Sequence, residues 1–323
     1  MSSRPSTLAD PSSGGPDPAG GEAIAPGLYA SVSTAAPVSR PAYADLAALT
    51  KPRITALVTL TALLGFVMGA PGAISLADLL PALLGTALVA AGASALNMLL
   101  ERETDARMHR TRDRPLPAGR LRPSDATVLG GALTLAGLAT LYFLAGPLPA
   151  ALALATWLSY LFLYTPLKPR TSLSTLVGAV PGALPPVIGW SAARGSVDGG
   201  AVVLFAILFL WQIPHFLAIA WIYRDDYARG GLPMLPVVDR DGRVTGRQIV
   251  ANSLALALVS ATPTAAGMTG PLYLAGALAL GGALVFFALR AAAARSLACA
   301  RQLFLASVLY LTALCALMIL DRA

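Results

Sequence analysis

Long apolar stretches recur along this chain, and each is close to the roughly 20 residues that a helix needs to cross the hydrocarbon core of a bilayer. The chain of 323 residues is 56% hydrophobic and 12% charged, which leaves too little polar surface for a soluble globule. We therefore predict an all-α integral membrane protein with about nine transmembrane helices. The predicted spans are 54 to 75, 78 to 99, 125 to 145, 148 to 164, 172 to 190, 200 to 223, 248 to 268, 271 to 289 and 302 to 320.

The positions of the lysines and arginines predict how the chain is oriented. If the N-terminus is cytoplasmic, all of the 23 basic residues lie in cytoplasmic segments except Arg194 and Arg322. The C-terminus is then periplasmic. The net charge of +7 follows from this topology and from contact with anionic lipid headgroups, so nucleic acid is not an expected partner.

Residues 1 to 45 differ in composition from the rest of the chain. They are rich in Ser, Pro, Gly and Ala and contain no apolar run long enough for a secretory signal, which predicts a disordered tail. Asp10, Asp17 and Glu22 argue against a mitochondrial transit peptide, because such peptides are poor in acids. A bacterial inner membrane is the expected location, and residues 46 to 323 form the predicted transmembrane domain.

A short sequence motif occurs twice in that domain. KPRIT begins at Lys51 and KPRTS at Lys168, and each precedes a helix pair that ends in acids, 50 residues on at Glu101 and 58 residues on at Asp226. This pattern predicts two parallel halves of four helices, with the two acidic clusters facing each other at the cytoplasmic mouth of a central cavity. Chance recurrence of KPR in basic loops is the alternative. The predicted halves are 51 to 164 and 168 to 289, followed by the ninth helix, 302 to 320.

The stretch NMLLERETDARMHRTRDRPLPAGR, residues 97 to 120, ends the second apolar run with a concentration of charge. Asn97, Glu101 and Asp105 are spaced i, i+4 and i+8, so a continuing helix places them on one face. Their oxygens suit Mg²⁺, which reaches proteins through one or two carboxylates plus substrate phosphates. The arginines that follow would supply the counter-charge for those phosphates: Arg107, Arg110, Arg112 and Arg114. Mutual neutralisation in a solvated loop is the alternative, but the depth of Asn97 in the apolar run favours a cavity.

A second polar cluster lies in WQIPHFLAIAWIYRDDYARGGLPMLPVV, residues 211 to 238. His215 falls within the predicted span, where it needs a hydrogen-bonding neighbour or a substrate. Asp226 is the predicted ligand of a second metal position. Pro214 frees a backbone carbonyl group within this helix.

These two stretches, together with YTPLKPRTSLSTLVGAVPGALPPVIGW at 164 to 190, resemble the protohaem IX farnesyltransferases, or haem O synthases, a family of the UbiA-type superfamily of intramembrane prenyltransferases. The resemblance runs from about Leu46 to the C-terminus. It implies about nine helices around a cavity open to lipid, with acidic motifs after helices 2 and 6 that bind Mg²⁺ and diphosphate.

The resemblance also implies the reaction and its participants. The farnesyl group of farnesyl diphosphate is joined to a vinyl group of haem B with addition of water, which gives haem O for terminal oxidases and releases diphosphate. Farnesyl diphosphate, haem B and the lipid bilayer are thus the implied partners. A haem A synthase or factors that assemble the oxidase are further implied partners.

The chain departs from the superfamily in both acidic motifs. Glu101 stands where Asp is usual, and Ile222 stands four residues before Asp226 where the DxxxD pattern has an acid. The haem-modifying branch resembles this chain here with a YRxDY pattern, so Tyr223 or Arg224 is expected to contact diphosphate instead. Four basic residues are expected to bind diphosphate or haem propionates, or only to anchor the membrane edge: Lys51, Arg53, Lys168 and Arg170.

Two other functions fit parts of the pattern. A prenyltransferase for a quinone-type aromatic acceptor would share the same diphosphate chemistry. A secondary transporter of an anionic metabolite would share the repeats and the proline-broken helix. Transporters tend to place acids near the membrane midplane, however, and the acids here lie at the predicted cytoplasmic rim.

Overall fold

The computed structural model describes residues 42–323. Within this part of the chain, nine helices are long and apolar enough to cross a membrane, which confirms the predicted multi-pass, all-α architecture. They are α1 (Pro52–Gly69), α2 (Leu76–Leu100), α3 (Pro123–Ala145), α4 (Pro147–Leu167), α5 (Ser174–Arg194), α6 (Gly199–Ile222), α7 (Arg243–Ala265), α8 (Pro271–Ala294) and α9 (Leu297–Leu320). Shorter helices at Ala42–Leu49, Arg102–Arg107, Arg224–Arg229 and Leu235–Val238 lie outside the spans.

Several helix ends extend beyond the predicted boundaries. α7 begins at Arg243 instead of 248, α8 continues to Ala294 instead of 289, and α9 begins at Leu297 instead of 302. Apolar residues mark only the part of a helix that lies in hydrocarbon, and hydrogen bonding continues into the charged residues beyond it.

The predicted tail of residues 1 to 45 overlaps the described region only at its end, because residues 1–41 lie outside the part that the structure describes. Helix Ala42–Leu49 begins before the predicted boundary. Arg120 donates from Nε and Nη2 to the two carboxylate oxygens of Asp45, over 2.9 and 3.0 Å. This bidentate pair attaches the short helix to the loop that precedes α3.

Glycines allow α1 and α5 to pack with their backbones in contact. A Cβ atom on Gly65 would overlap the carbonyl oxygen of Pro186, and one on Gly189 would overlap that of Ala62. Small residues at helix interfaces permit such close approach in membranes, where dispersion contacts replace the hydrophobic effect between helices.

α4 ends in a π-helical turn, Ser159–Tyr164, before a last α-helical turn. Pro166 explains this turn, since it has no N–H and its ring would clash with the carbonyl group of Phe162 in a regular α-helix. Both the backbone N–H and the hydroxyl group of Thr165 donate to the carbonyl oxygen of Tyr160. The wider turn brings the Tyr160 and Tyr164 rings into a stack with centroids 5.6 Å apart.

Because successive spans alternate in direction, the segments before α1 and after α2, α4, α6 and α8 lie at the same end of the bundle. We call it the basic end, since within residues 42–323 only Arg194 and Arg322 among the lysines and arginines belong to the loops of the other end. The acids that the sequence analysis selected also lie at the basic end. The division into two halves stays a prediction.

Candidate active site

The end of α2 carries the first set of predicted residues. Although α2 ends at Leu100, the backbone N–H of Glu101 donates to the carbonyl oxygen of Asn97 (2.9 Å) and that of Asp105 donates to Glu101 (2.8 Å). The helical spacing therefore continues into the short helix Arg102–Arg107. Asn97, Glu101 and Asp105 follow one another at successive turns, as their spacing predicts.

Lys168, from the loop after α4, pairs with Glu101. Its Nζ lies 2.9 Å from Oε1, and the side chains are only 17% and 11% exposed. Burial opposes the charge of Glu101, but the ammonium groups of Lys168 and Lys51 outweigh it and hold the pKa of Glu101 below its ordinary value. Glu101 is thus ionised at neutral pH although it is largely buried.

Lys51 reaches the same helix end from the other KPR sequence. Its Nζ donates to Oδ1 of Asn97 over 2.7 Å, and Nδ2 of Asn97 donates to the Thr165 hydroxyl over 3.1 Å. Burial lowers the pKa of Lys51 to about 8; the nearby carboxylate of Glu101 opposes this shift, and the positive charges of Arg114 and Lys168 reinforce it. Both KPR lysines therefore converge on the end of α2.

Arg114 completes this group of charges. Its Nη1 lies 2.6 Å from Oδ2 of Asp105, whose residue is 1% exposed. The Thr111 hydroxyl donates to the Asp105 carbonyl oxygen over 2.9 Å and folds the loop back onto the helix. We call the five ionisable residues of this region the charged cluster: Lys51, Glu101, Asp105, Arg114 and Lys168. With three cations and two carboxylates, the cluster carries net positive charge when all five are ionised.

Asp226 joins the segment after α6 to the loop after α2. Its Oδ1 accepts hydrogen bonds from the His109 N–H and from Arg229, both over 2.7 Å, and its Oδ2 accepts from the Arg110 N–H over 3.1 Å. Burial opposes the charge, but Arg229 and the two backbone groups hold the pKa of Asp226 below its ordinary value. The acidic segment after α6 is therefore attached directly to the loop after α2.

A cleft of about 650 Å³ opens beside Asp226. Its walls combine arginines, aromatic rings and apolar side chains, and we call it the α6 cleft. The guanidinium carbon of Arg110 lies 4.9 Å from the centroid of the Tyr223 ring, and Nη2 of Arg110 lies 3.4 Å from the Tyr227 hydroxyl. The residues that line the cleft are His109, Arg110, Trp221, Ile222, Tyr223, Arg224, Asp225, Asp226, Arg229 and Leu297.

The carboxylate and amide oxygens at the end of α2 would suit a magnesium ion that a substrate helps to bind. Within residues 42–323, no three histidine, cysteine or acidic side chains converge into a protein-only metal site. Mg²⁺ does not need such a site, because it commonly binds one or two carboxylates plus substrate phosphates. Glu101 and Asp105 are the carboxylates that would be available for this, beside the buried amide of Asn97, and their role as metal ligands stays a prediction. Both carboxylate oxygens of Asp226 accept protein hydrogen bonds, whereas Glu101 pairs with Lys168 through Oε1 and Asp105 pairs with Arg114 through Oδ2. The role of Asp226 as a metal ligand stays a prediction.

The other predicted residues do not belong to the charged cluster. Nδ1 of His215 lies 2.8 Å from the Ser307 hydroxyl, and the imidazole ring stacks on Trp211 at 4.6 Å, so it packs between α6 and α9. Its contact with substrate stays a prediction. Arg53 and Arg170 are exposed and, in the described region, form no ion pair. Tyr223 and Arg224 line the α6 cleft.

Four residues of the site were missing from the sequence predictions: Tyr160, Tyr164, Thr165 and Tyr227. The hydroxyl group of Thr165 accepts a hydrogen bond from the side-chain amide of Asn97. Nζ of Lys168 lies 5.6 Å from the centroid of the Tyr164 ring. The aromatic residues before TPLKPR and the proline within it were the available signal. Only the π-helical turn, however, fixes where those side chains point.

Comparison with known proteins shows which protein family this chain resembles. Residues 58–313 match the UbiA prenyltransferase family. A protein of Solibacter usitatus (strain Ellin6076) named protoheme IX farnesyltransferase is 52% identical over 241 residues, which are 72% of this chain and 82% of that protein. A protein of the same name from Anaeromyxobacter sp. (strain Fw109-5) is 47% identical over 246 residues, or 75% of this chain and 82% of that protein.

Solved structures resemble this fold at low sequence identity. A structure described as concerning digeranylgeranylglyceryl phosphate synthase in membranes has a TM-score of 0.74 and 14% identity, and the match covers 86% of this chain and 98% of that one. A UbiA homologue from Archaeoglobus fulgidus, bound to GPP and Mg²⁺, has a TM-score of 0.58 and 16% identity, over 85% and 99% of the two chains. At such identities these likenesses show the fold alone.

Proposed function

The chain belongs to the UbiA prenyltransferase family, and from that premise we propose that it transfers the farnesyl group of farnesyl diphosphate to a vinyl group of haem B. Water is added in the reaction, and the products are haem O and diphosphate. The observation that carries the proposal is the charged cluster, where three cations surround two buried carboxylates at the basic end. Such a set suits a metal-bridged diphosphate, and the relatives named above support haem as the acceptor.

The cations act on the leaving group. Lys51, Lys168 and Arg114 would contact the diphosphate oxygens and stabilise the negative charge that develops as the allylic C–O bond breaks. Glu101 and Asp105 would hold Mg²⁺, which when bound supplies Lewis-acid stabilisation of the same charge. Their ion pairs with Lys168 and Arg114 keep both carboxylates in place before substrate arrives.

Breaking the C–O bond leaves an allylic cation on the farnesyl group. The electron pair of the broken C–O bond leaves with diphosphate, and the vinyl π pair of haem B forms the new C–C bond. Water then adds to the resulting cation and loses a proton to solvent. Tyr160 and Tyr164, stacked beside Lys168, and the buried Tyr227 would shield the allylic cation from water and stabilise it with their ring faces.

The proposed membrane orientation follows from the basic residues, and the proposed partners follow from the product. The concentration of lysine and arginine supports a cytoplasmic basic end and a periplasmic C-terminus in a bacterial inner membrane. Haem O would pass to a terminal oxidase, so a haem A synthase or factors that assemble the oxidase are the proposed partners.

The test is a reconstituted assay. Purified protein in lipid nanodiscs is incubated with haem B, farnesyl diphosphate and Mg²⁺, and the haem products are identified by mass. We expect a mass gain of farnesyl plus water that disappears with EDTA and returns with excess Mg²⁺. Prenylation of a quinone-type aromatic acceptor but not of haem B would reassign the acceptor, and transport of an anionic metabolite without prenylation would replace the proposal.

A further inference from the structure

We propose that the α6 cleft binds the two propionate carboxylates of haem B through Arg110 and Arg224, in place of the diphosphate that the resemblance implies there, and that diphosphate is held by the charged cluster alone. This inference rests on the proposed function and specifies where its second substrate is held. Both substrates are anionic, and their charged groups would repel each other if they shared one set of cations. A second cationic site near the first would avoid this repulsion.

In the described part of the chain, Arg110 and Arg224 differ from two nearby arginines because they have no acidic partner. Within residues 42–323, neither Arg110 nor Arg224 forms an ion pair, whereas Arg114 and Arg229 each pair with a buried aspartate. Arg110 lies against aromatic rings, and Arg224 reaches a protein acceptor only at 3.4 Å, the carbonyl oxygen of Arg240. A guanidinium group has a planar fork of donors that matches a carboxylate in two parallel hydrogen bonds.

The remaining walls fit the rest of the ligand. Trp221, Ile222 and Leu297 supply apolar surface in the same cleft, which suits the flat, apolar ring that carries the propionates. Its volume of about 650 Å³ lies within the about 300–1,000 Å³ that is typical of small-molecule and cofactor sites. Asp225 also lines the cleft, but it is exposed and forms no ion pair with either arginine.

The backbone connects the cleft to the charged cluster. Arg110 belongs to the loop between Asp105 and Arg114, and its backbone N–H donates a hydrogen bond to the carboxylate of Asp226. The cleft and the cluster therefore share one short, anchored loop. Because the vinyl groups of haem B lie on the ring edge away from the propionates, fixing the propionate edge in the cleft leaves a vinyl edge free to react.

The test compares haem B with its dimethyl ester, in which both carboxylates are blocked. Each is titrated by absorbance into wild-type protein and into Arg110→Gln, Arg224→Gln and Arg290→Gln in nanodiscs. Arg290 is a control at the same end of the bundle, outside the cleft. We expect the two cleft variants to bind haem B at least about tenfold more weakly, while their affinity for the ester is unchanged within about twofold. Arg290→Gln should match wild type for both ligands.

Three results would overturn the propionate site and leave the proposed function standing. The first is that wild type binds haem B and the ester with equal affinity. The others are that the cleft variants lose affinity equally for both ligands, or that they lose affinity for farnesyl diphosphate and keep their affinity for haem. A cleft variant that loses only co-purified phosphatidylglycerol would identify a lipid headgroup site instead. If wild type neither binds haem B nor prenylates it, the proposed function fails as well, so the two failures are distinguishable.

Discussion

Lys168 and Glu101, 67 positions apart in the chain, form a buried ion pair of 2.9 Å that joins the loop after α4 to the end of α2. The pair lies where two KPR sequences converge, since Lys51 binds Asn97 one turn earlier on the same helix. Its geometry holds a carboxylate ionised in a largely buried position.

Glu101→Gln should lower the rate of haem prenylation by about 10²–10³-fold, because a neutral amide cannot replace the carboxylate beside the leaving diphosphate. Glu101→Asp should retain part of the rate, since it keeps the charge. The measurement is haem O formation at saturating Mg²⁺ and farnesyl diphosphate. Glu103→Gln is the matched control, because that side chain is 79% exposed, and its rate should stay within about twofold of wild type. Equal rates for Glu101→Gln and the control would exclude a catalytic role for Glu101.

Lys168→Met should lower the free energy of unfolding by about 3–5 kcal/mol, because it leaves Glu101 buried without its partner. Adding Glu101→Gln to this variant should restore much of that loss but no activity. Denaturant unfolding in detergent measures both effects. Arg194→Gln is the control, since its ion pair with Asp198 is exposed and should contribute less than about 1 kcal/mol. Additive losses in the double variant would contradict the predicted coupling.

The nine spans were predictable because each needs a long apolar run, and the composition of such runs is visible without tertiary contacts. Their ends were less predictable. α7 and α9 each begin five residues earlier than the apolar pattern indicated, at Arg243 and Leu297, because hydrogen bonding along a helix does not require an apolar side chain.

The candidate site was predictable where its geometry is local. Asn97, Glu101 and Asp105 follow from helical spacing, and the backbone hydrogen bonds preserve that spacing. The partner of Glu101 did not follow, because Lys168 approaches from another helix and only packing decides which carboxylate it meets. The contacts of Asp226 with the backbone of His109 were also inaccessible, since backbone donors leave no trace in the sequence.

Asp226→Asn should loosen the loop after α2. The amide side chain can accept from only one oxygen, so the two backbone N–H groups and Arg229 can no longer all be satisfied. Hydrogen–deuterium exchange at residues 109 and 110 should therefore accelerate by about tenfold or more, and haem prenylation should fall with it. Asp225→Asn, which changes the exposed neighbour, should leave the exchange unchanged. Unchanged protection in Asp226→Asn would show that other contacts hold the loop.

The affinity for farnesyl diphosphate should decrease as pH rises through the pKa of Lys51. Burial lowers this pKa to about 8, so the side chain is an ammonium group below that pH and a neutral amine above it. Phosphate groups are already ionised there, so the loss of the Lys51 charge should raise Kd by up to about tenfold per pH unit above 8 until the higher pKa of the bound state is reached. Lys51→Arg keeps its charge at every pH in this range and should bind with a nearly constant Kd. Titrations of farnesyl diphosphate at pH 7, 8 and 9 with constant Mg²⁺ test this difference, and an identical slope in both proteins would assign the titration to another group.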